Sequence, residues 1–238
     1  MTKEQYKYFP KERGELRKLI EQRIKEEGNE VDLNDIDVSK IIDMSHLFEN
    51  LNFNGDISNW NVSKVEDMYC MFYGCEKFNG DISNWNVSKV KDMNGMFYGC
   101  KSFNQDLSNW NVSKVKYMHS MFFKCEKFNG DISKWNVSRV TDMGYMFGDC
   151  ENFNGDISKW NVSRVTDMRG MFDGCKSFNQ DISKWDVSKV KDMYSMFLEC
   201  ERFNQDISNW NVSKVKNKSY MFYNCTIKDK YKPLQTAK

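Results

Sequence analysis

The chain has 238 residues, a formal net charge of +1 and 15% aromatic residues, seven of them tryptophans. It contains no run of about 18 apolar residues, which excludes a membrane-spanning helix, and so many aromatic side chains exclude a disordered chain. Alanine occurs once, at Ala237, so most of the chain is not a helix bundle. The balanced charge predicts no strong general attraction to nucleic acid or acidic membranes.

Residues 1–30 predict a helix that caps the repeats behind it. Pro10 can open a helix because its missing N–H is not needed there, and Gly28 can close it. Between them, four apolar residues fall on one face: Leu16, Leu19, Ile20 and Ile24. The stretch has no apolar segment typical of a secretory signal. We therefore expect a cytoplasmic protein, with a surface or extracellular location only if the chain is exported by another route.

A single sequence unit then repeats without a slip. Tryptophans recur at a constant interval from Trp60, Trp85 and Trp110 to Trp210, and cysteines recur at the same interval from Cys75 to Cys225. The unit reads F-N-[GQ]-D-[IL]-S-[NK]-W-[ND]-V-S-[KR]-V-x-D-M-x-x-M-F-x-x-C-x-x. Seven such units follow a degenerate one at residues 33–52. We assign residues 31–225 to this repeat region and residues 226–238 to a polar C-terminal tail.

The period itself predicts a solenoid of about eight coils. A unit of about 25 residues is too short for two packed helices, but it suits one turn with short parallel strands and a single-turn helix. Inward residues then stack on their equivalents about 4.8 Å away, which gives ladders of Trp, Phe, Met and Cys. The asparagines from Asn54 to Asn204 are expected to satisfy turn backbone along the stack.

These residues carry a resemblance to a known family. The run M-F-x-x-C-x-x-F-N-x-D-I-S-x-W resembles the bacterial surface-protein repeat of about 25 residues in BspA-like leucine-rich-repeat proteins. Within it, residues 97–103 followed by Leu107 are similar to the family signature A-F-x-x-C-x-x-L-x-x-I, with Met96 in place of Ala. The resemblance implies a solenoid of leucine-rich-repeat type that is used for adhesion or partner binding.

The chemical motifs favour structural roles. The cysteine column indicates buried thiols rather than zinc ligands or disulfides. The aspartate column from Asp56 to Asp206 either accepts turn N–H groups or faces a column of basic residues; calcium is the weaker alternative. His46 and His119 are the only histidines and lie three units apart. We expect no enzyme, no cofactor and no metal.

A basic column with one Lys or Arg per unit leaves two interpretations open. It runs through Lys64, Lys89, Lys114, Arg139, Arg164, Lys189 and Lys214. Such a stripe can follow a polyanion. Alternatively, it is a solvated face balanced by the aspartate three residues on. The near-zero net charge favours the second interpretation, so nucleic acid or another polyanion is not the expected partner.

Binding is predicted where the units vary, around M-x-x-M-F-x-x-C. Tyrosine is frequent there, and it suits interfaces because it buries area and keeps a polar tip. The candidate face consists of Tyr69, Tyr73, Tyr98, Tyr117, His119, Phe123, Tyr145, Tyr194, Tyr220 and Tyr223. We expect a monomeric scaffold that binds a protein partner and does not insert into membranes. Neutral drift at this face and a self-assembling rod remain the alternatives, with polyanion binding third.

Overall fold

The computed structural model describes residues 6–234. Helix α1 spans Arg13–Glu27, and a short 3₁₀ helix spans Asp229–Tyr231. The helix begins three residues after Pro10, with Glu12 at its N-cap, and ends where the N–H of Gly28 bonds the carbonyl of Ile24 at 2.9 Å. Residues 1–5 of the predicted cap and residues 235–238 of the predicted tail lie outside the described residues.

Consecutive repeat units, here called coils, lie side by side in parallel register. Single-residue bridges join Asp67 to Asp92, and so on at the period of the repeat up to Asp192 and Asn217. The first bridge of this series joins Asp43 to Asp67, and the sequence separation of these two residues is one less than in the other bridges. The difference matches the degenerate unit, which is one residue short. The repeat prediction is confirmed, and each residue lies beside its equivalent in the next unit.

The backbone between the bridges differs from the expected strands and single-turn helices. Residues 28–228 contain turns and isolated bridges only. Alternate N–H groups donate to the next coil, as from Cys70 to the Asn94 carbonyl at 2.9 Å, whereas those between them close turns, as from Met71 to Met68 at 3.2 Å. Two positions in every coil have positive φ, for example Cys70 at 51° and Gly74 at 73°. The alternating N–H partners and the positive φ values together prevent both a continuous strand and a helix.

The core is a set of ladders along the stack. The rings of Trp135 and Trp160 are 6.2 Å apart and nearly parallel, and each indole N–H bonds a carbonyl of the preceding coil, as from Trp135 to Leu107 at 2.9 Å. Two phenylalanines stack inside each coil, with ring centroids 4.1 Å apart for Phe72 and Phe78. The side-chain amide oxygen of Asn54 accepts the N–H of Asn79 at 2.8 Å, and this bond repeats from coil to coil.

The cysteine column is buried inside these ladders. The thiol of Cys100 donates to the carbonyl of Phe72 at 3.1 Å, and the equivalent bond recurs in the neighbouring coils. All eight cysteines are free thiols. Burial raises the pKa of the Cys75 thiol to about 12. A thiol that stays protonated is a poor nucleophile and a poor metal ligand, so this geometry fits a packing role.

The two ends of the stack are covered in different ways. At the N-terminal end, α1 buries Leu16 and Ile20 completely against the first coil. At the C-terminal end, the segment predicted as a polar tail folds back: Ile227 is 5% exposed, and the N–H of Ile207 bonds the carbonyl of Tyr231 at 3.0 Å. Over residues 226–234 the predicted polar tail therefore packs against the last coil through Ile227 and Tyr231.

Candidate binding site on the aromatic edge

Five of the predicted residues form a continuous row of rings across four coils. Tyr73 and Tyr98 stack with centroids 4.4 Å apart, Tyr98 and Phe123 are 4.9 Å apart, and Phe123 meets Tyr145 edge-on at 5.9 Å. His119 joins the row through Tyr145 at 6.0 Å. We call these five residues the aromatic edge. The fixed register of the coils aligns rings that occupy the same position in consecutive units.

The other tyrosines lie in two separate places. Tyr194, Tyr220 and Tyr223 form a second group near the C-terminal end, with ring centroids 6.0 Å apart in both contacts. Tyr69 pairs with His46 at 5.0 Å. His46 was not predicted as part of a site. The degenerate unit is one residue short, so an alignment that allows for this gap places His46 at the position of Cys70, in the coil before Tyr69. This alignment would have identified His46 as a neighbour of Tyr69.

Tyr117 does not join the aromatic edge. It occupies the bridge column, where most coils have aspartate, and it is 44% exposed. Within residues 6–234 its ring makes no aromatic pair with His119 or Phe123. The ring of Tyr117 is therefore not part of the row to which His119 and Phe123 belong. The physical reason is that Tyr117 replaces a turn-capping residue, and this position lies at a different point of the coil from the two variable columns.

Glycines in the following coil make room for the rings. A Cβ atom on Gly170 would lie 2.1 Å from a ring carbon of Tyr145, and one on Gly148 would lie 2.6 Å from the ring of Phe123. Tyr145 itself has a positive φ of 52°. The variable positions are thus not free of structural constraint, because the rings of Phe123 and Tyr145 each need a glycine at the equivalent position of the next coil.

This packing leaves most of the edge half-buried. Only four of the ten predicted residues are exposed: Tyr69, Tyr117, Tyr220 and Tyr223. Burial raises the pKa of the Tyr145 hydroxyl. The rings of the aromatic edge are therefore held in place by their neighbours, while part of each ring remains accessible.

Acidic residues adjoin the aromatic edge. Asp149, Asp173 and Glu199 lie in three consecutive coils, and burial together with the charges of Asp149 and Glu199 raises the pKa of Asp173 to about 6. Burial alone would raise the pKa of Asp142, but hydrogen bonds from His119, at 3.3 Å, and from the N–H of Gly144 lower it. Within residues 6–234, no group of three His, Cys, Asp or Glu side chains has metal-binding geometry.

The aspartates from Asp56 to Asp206, for which calcium binding was the weaker alternative, cap turns of the backbone. Asp56 accepts the N–H of Ser58 at 2.9 Å, and each later coil repeats this turn. The hydrogen bond lowers the pKa of Asp56. Backbone N–H groups are thus the donors that a column of stacked carboxylates requires.

The stacked units define a repeat protein, and the comparison with known families agrees. The chain belongs to the family described as "Mycoplasma protein of unknown function, DUF285", whose model matches residues 16–134 and 117–232. Two overlapping matches are expected of a repeat, because a model of several units fits the array in more than one place. No curated protein matches the chain. Within the described residues, no helix has the length and apolar character needed to cross a membrane.

Proposed function

We propose that this protein is a non-catalytic scaffold of leucine-rich-repeat type that binds a protein partner through its aromatic edge. The observation that supports this is the unbroken row of half-exposed rings from Tyr73 to Tyr145. Contiguous aromatic surface on a monomer often marks a contact site. Because the rings are already ordered, little side-chain entropy is lost on binding.

A self-assembling rod is the second candidate. The charged helix α1 at one end and the folded-back segment 226–234 at the other argue against end-to-end growth, since neither presents a coil surface to another copy. Sedimentation over a concentration series separates the two functions. The scaffold is expected to sediment as a monomer, whereas a rod would shift to larger species as its concentration rises.

The scaffold proposal is tested by affinity capture from cells that express the chain. Tyr98→Ser with Phe123→Ser removes two rings from the middle of the aromatic edge and should weaken capture of a partner by about tenfold or more, because interface energy is concentrated in a few anchors. The matched control is Tyr220→Ser with Tyr223→Ser, which removes two rings from the C-terminal group. Equal capture by the wild type and the edge variant would show that the aromatic edge is not the contact surface.

A further inference from the structure

A second surface, separate from the aromatic edge, concentrates positive charge. We call it the basic face. It comprises the exposed column Lys64, Lys89, Lys114, Arg139, Arg164, Lys189 and Lys214, together with the lysines two residues further along: Lys91, Lys116, Lys191 and Lys216. Glu66 and Asp186 are the acidic residues that interrupt it. Hydrogen bonds from Ser188, with the charges of Lys189 and Lys214, lower the pKa of Asp186.

The charges of the basic face are not balanced by ion pairs. Within residues 6–234, the pair between Lys91 and Glu66 at 2.5 Å is the one ion pair that this face makes. The aspartates three residues on, which the sequence suggested as partners, act instead as turn caps: Asp92 accepts the N–H of Asn94 at 2.8 Å. The preference for a charge-balanced face is therefore not supported by the contacts, and an anion could approach these cations directly.

The face contains a shallow cleft in its middle. Its volume is about 420 Å³, and it is lined by Lys116, Arg139, Thr141, Arg164 and Lys189. The four cations come from four successive coils. Thr141 and Thr166 replace the longer Lys or Glu found in other coils at this position, and their short side chains bond the preceding coil, as from Thr166 to the Thr141 carbonyl at 3.2 Å. The cleft is thus open because two coils carry a small residue there.

The spacing of these cations suits a linear polymer of anions. The coils are joined by backbone hydrogen bonds, so successive cations are held about 4.8 Å apart along the stack axis. Neighbouring like charges repel one another, and a bound row of anions relieves this repulsion. Guanidinium groups such as those of Arg139 and Arg164 match the oxygens of sulfate and phosphate with paired N–H donors.

The same surface disfavours two other anionic partners. Single-stranded nucleic acid is bound with aromatic platforms for its bases, but the tryptophans of the repeat are only 2–4% exposed. Among the described residues, Tyr117, next to Lys116, is the one exposed aromatic residue that adjoins a residue of the face in sequence. Peripheral membrane binding uses inserted apolar residues, and the residues of the cleft include none. We propose that the basic face binds a linear polyanion of sulfate or phosphate groups on a backbone without aromatic bases.

The test measures binding of heparin oligosaccharides and of inorganic polyphosphate to the full chain. The variant combines Arg139→Gln, Arg164→Gln and Lys189→Gln. The matched control combines Lys77→Gln, Lys127→Gln and Arg202→Gln, which removes the same charge from exposed residues at another corner of the coil. All six side chains are exposed, so both proteins should keep the wild-type melting temperature, which is measured alongside.

We expect the wild type to bind at least one of the two probes at about 0.15 M salt. The basic-face variant should bind about tenfold or more weakly, with the slope of log K against log salt reduced by about 2, at roughly 0.7 per lost contact. The control should bind like the wild type. Heparin and polyphosphate distinguish sulfate from phosphate as the preferred group.

Three results would overturn the proposal. One is the absence of wild-type binding to either probe. Another is an equal loss in the variant and the control, which would mean that only net charge matters. The third is tighter binding of a thymidine oligonucleotide or of phosphatidylserine vesicles than of both probes, which would assign the face to nucleic acid or to a membrane. None of these results bears on the aromatic edge, whose residues are unchanged in all three proteins.

Discussion

Tyr117 stands where most coils have an aspartate, so its coil lacks the carboxylate that accepts a turn N–H. Asn94 in the preceding coil supplies an acceptor in place of that carboxylate. Elsewhere the bridge-column aspartate accepts the N–H two residues on, as Asp67 does from Tyr69 at 2.8 Å. In the third coil the N–H of His119 instead bonds the side-chain oxygen of Asn94 at 2.7 Å. Asparagine occurs at this repeat position in this one coil. The two departures from the repeat therefore compensate each other.

A double-mutant cycle tests this compensation. Asn94→Ala should lower the free energy of unfolding by about 1 kcal/mol, because it leaves the His119 N–H without an acceptor. In a Tyr117→Asp background the new carboxylate can cap that N–H, so Asn94→Ala should cost much less. Urea denaturation of the four proteins gives the coupling energy. A coupling of zero would mean that Asn94 does not substitute for the missing aspartate.

Asp173 makes stability depend on pH because its pKa is raised to about 6. A raised carboxyl pKa means that the folded state favours the protonated form. This contribution to stability is complete below the ordinary carboxyl pKa and is lost as the pH rises through about 6. Near neutral pH the ionised side chain therefore opposes folding.

Asp173→Asn should raise the free energy of unfolding by about 1 kcal/mol at about pH 7.5, a figure reduced for solvent screening of a half-exposed group. At about pH 4 the gain should vanish, because the carboxyl group of Asp173 is then protonated and is uncharged like the amide of the asparagine that replaces it. Thermal melts across this range provide the measurement. The control is Asp156→Asn, because hydrogen bonds from Ser158 lower the pKa of Asp156 and no gain is expected there. A gain for Asp173→Asn that is independent of pH would contradict the assignment.

At the scale of elements, helix α1 does more than cover apolar surface. The ladder carbonyls of the first coil have no preceding coil to bond. Among these carbonyls, Arg17 donates to that of Leu47 at 3.0 Å and that of Glu49 at 3.3 Å, and Arg13 donates to that of Ser45 at 3.3 Å. Arg17 also bonds the carbonyl of His46 at 3.1 Å, which closes a turn within the first coil. Two guanidinium groups thus take the place of the N–H groups of a missing coil. The apolar stripe was predictable from spacing, but this polar function was not.

Arg17→Met is expected to lower the free energy of unfolding by about 1–2 kcal/mol, because methionine keeps much of the apolar stem and removes the donors of several carbonyls. Lys18→Met is the matched control: it removes the same charge from the neighbouring, exposed position of the helix. Chemical denaturation of both variants measures the difference. Equal stabilities would show that the guanidinium bonds contribute nothing measurable.

At the scale of the whole molecule, stability is expected to follow position along the stack. Each coil contacts mainly its two neighbours, so the free energy of unfolding is approximately a sum of coil terms and interface terms. Trp135 has stacked neighbours on both sides, Trp110 and Trp160, whereas Trp210 has Trp185 on one side only. The two indoles are almost equally buried, at 3% and 4% exposed. They therefore form a matched pair that differs in position.

Trp135→Ala should cost roughly 3–5 kcal/mol, the usual range for a buried aromatic side chain. Trp210→Ala should cost clearly less, because one interface instead of two is weakened. Calorimetry or urea denaturation of both variants decides the matter. Equal losses at the two sites would contradict nearest-neighbour coupling between stacked tryptophans.

The sequence by itself determined the repeat unit, its register and its core. Spacing alone assigns Trp135 beside Trp160, because a constant period without insertions brings equivalent residues together in every coil. The same spacing predicted the Asn54 ladder and the buried cysteine column. These features depend on local composition repeated at a fixed interval, and such a pattern is visible without coordinates.

Only the tertiary structure decided which polar groups meet between coils. The positive φ of Cys70 and Gly74, the glycine spaces beneath Tyr145 and Phe123, and the replacement of an aspartate by Asn94 depend on the exact path of the turns. The separation of Tyr117 from the aromatic edge and the unpaired charges of the basic face depend on it as well. A period fixes which residues are neighbours, but the backbone torsions fix where their side chains point.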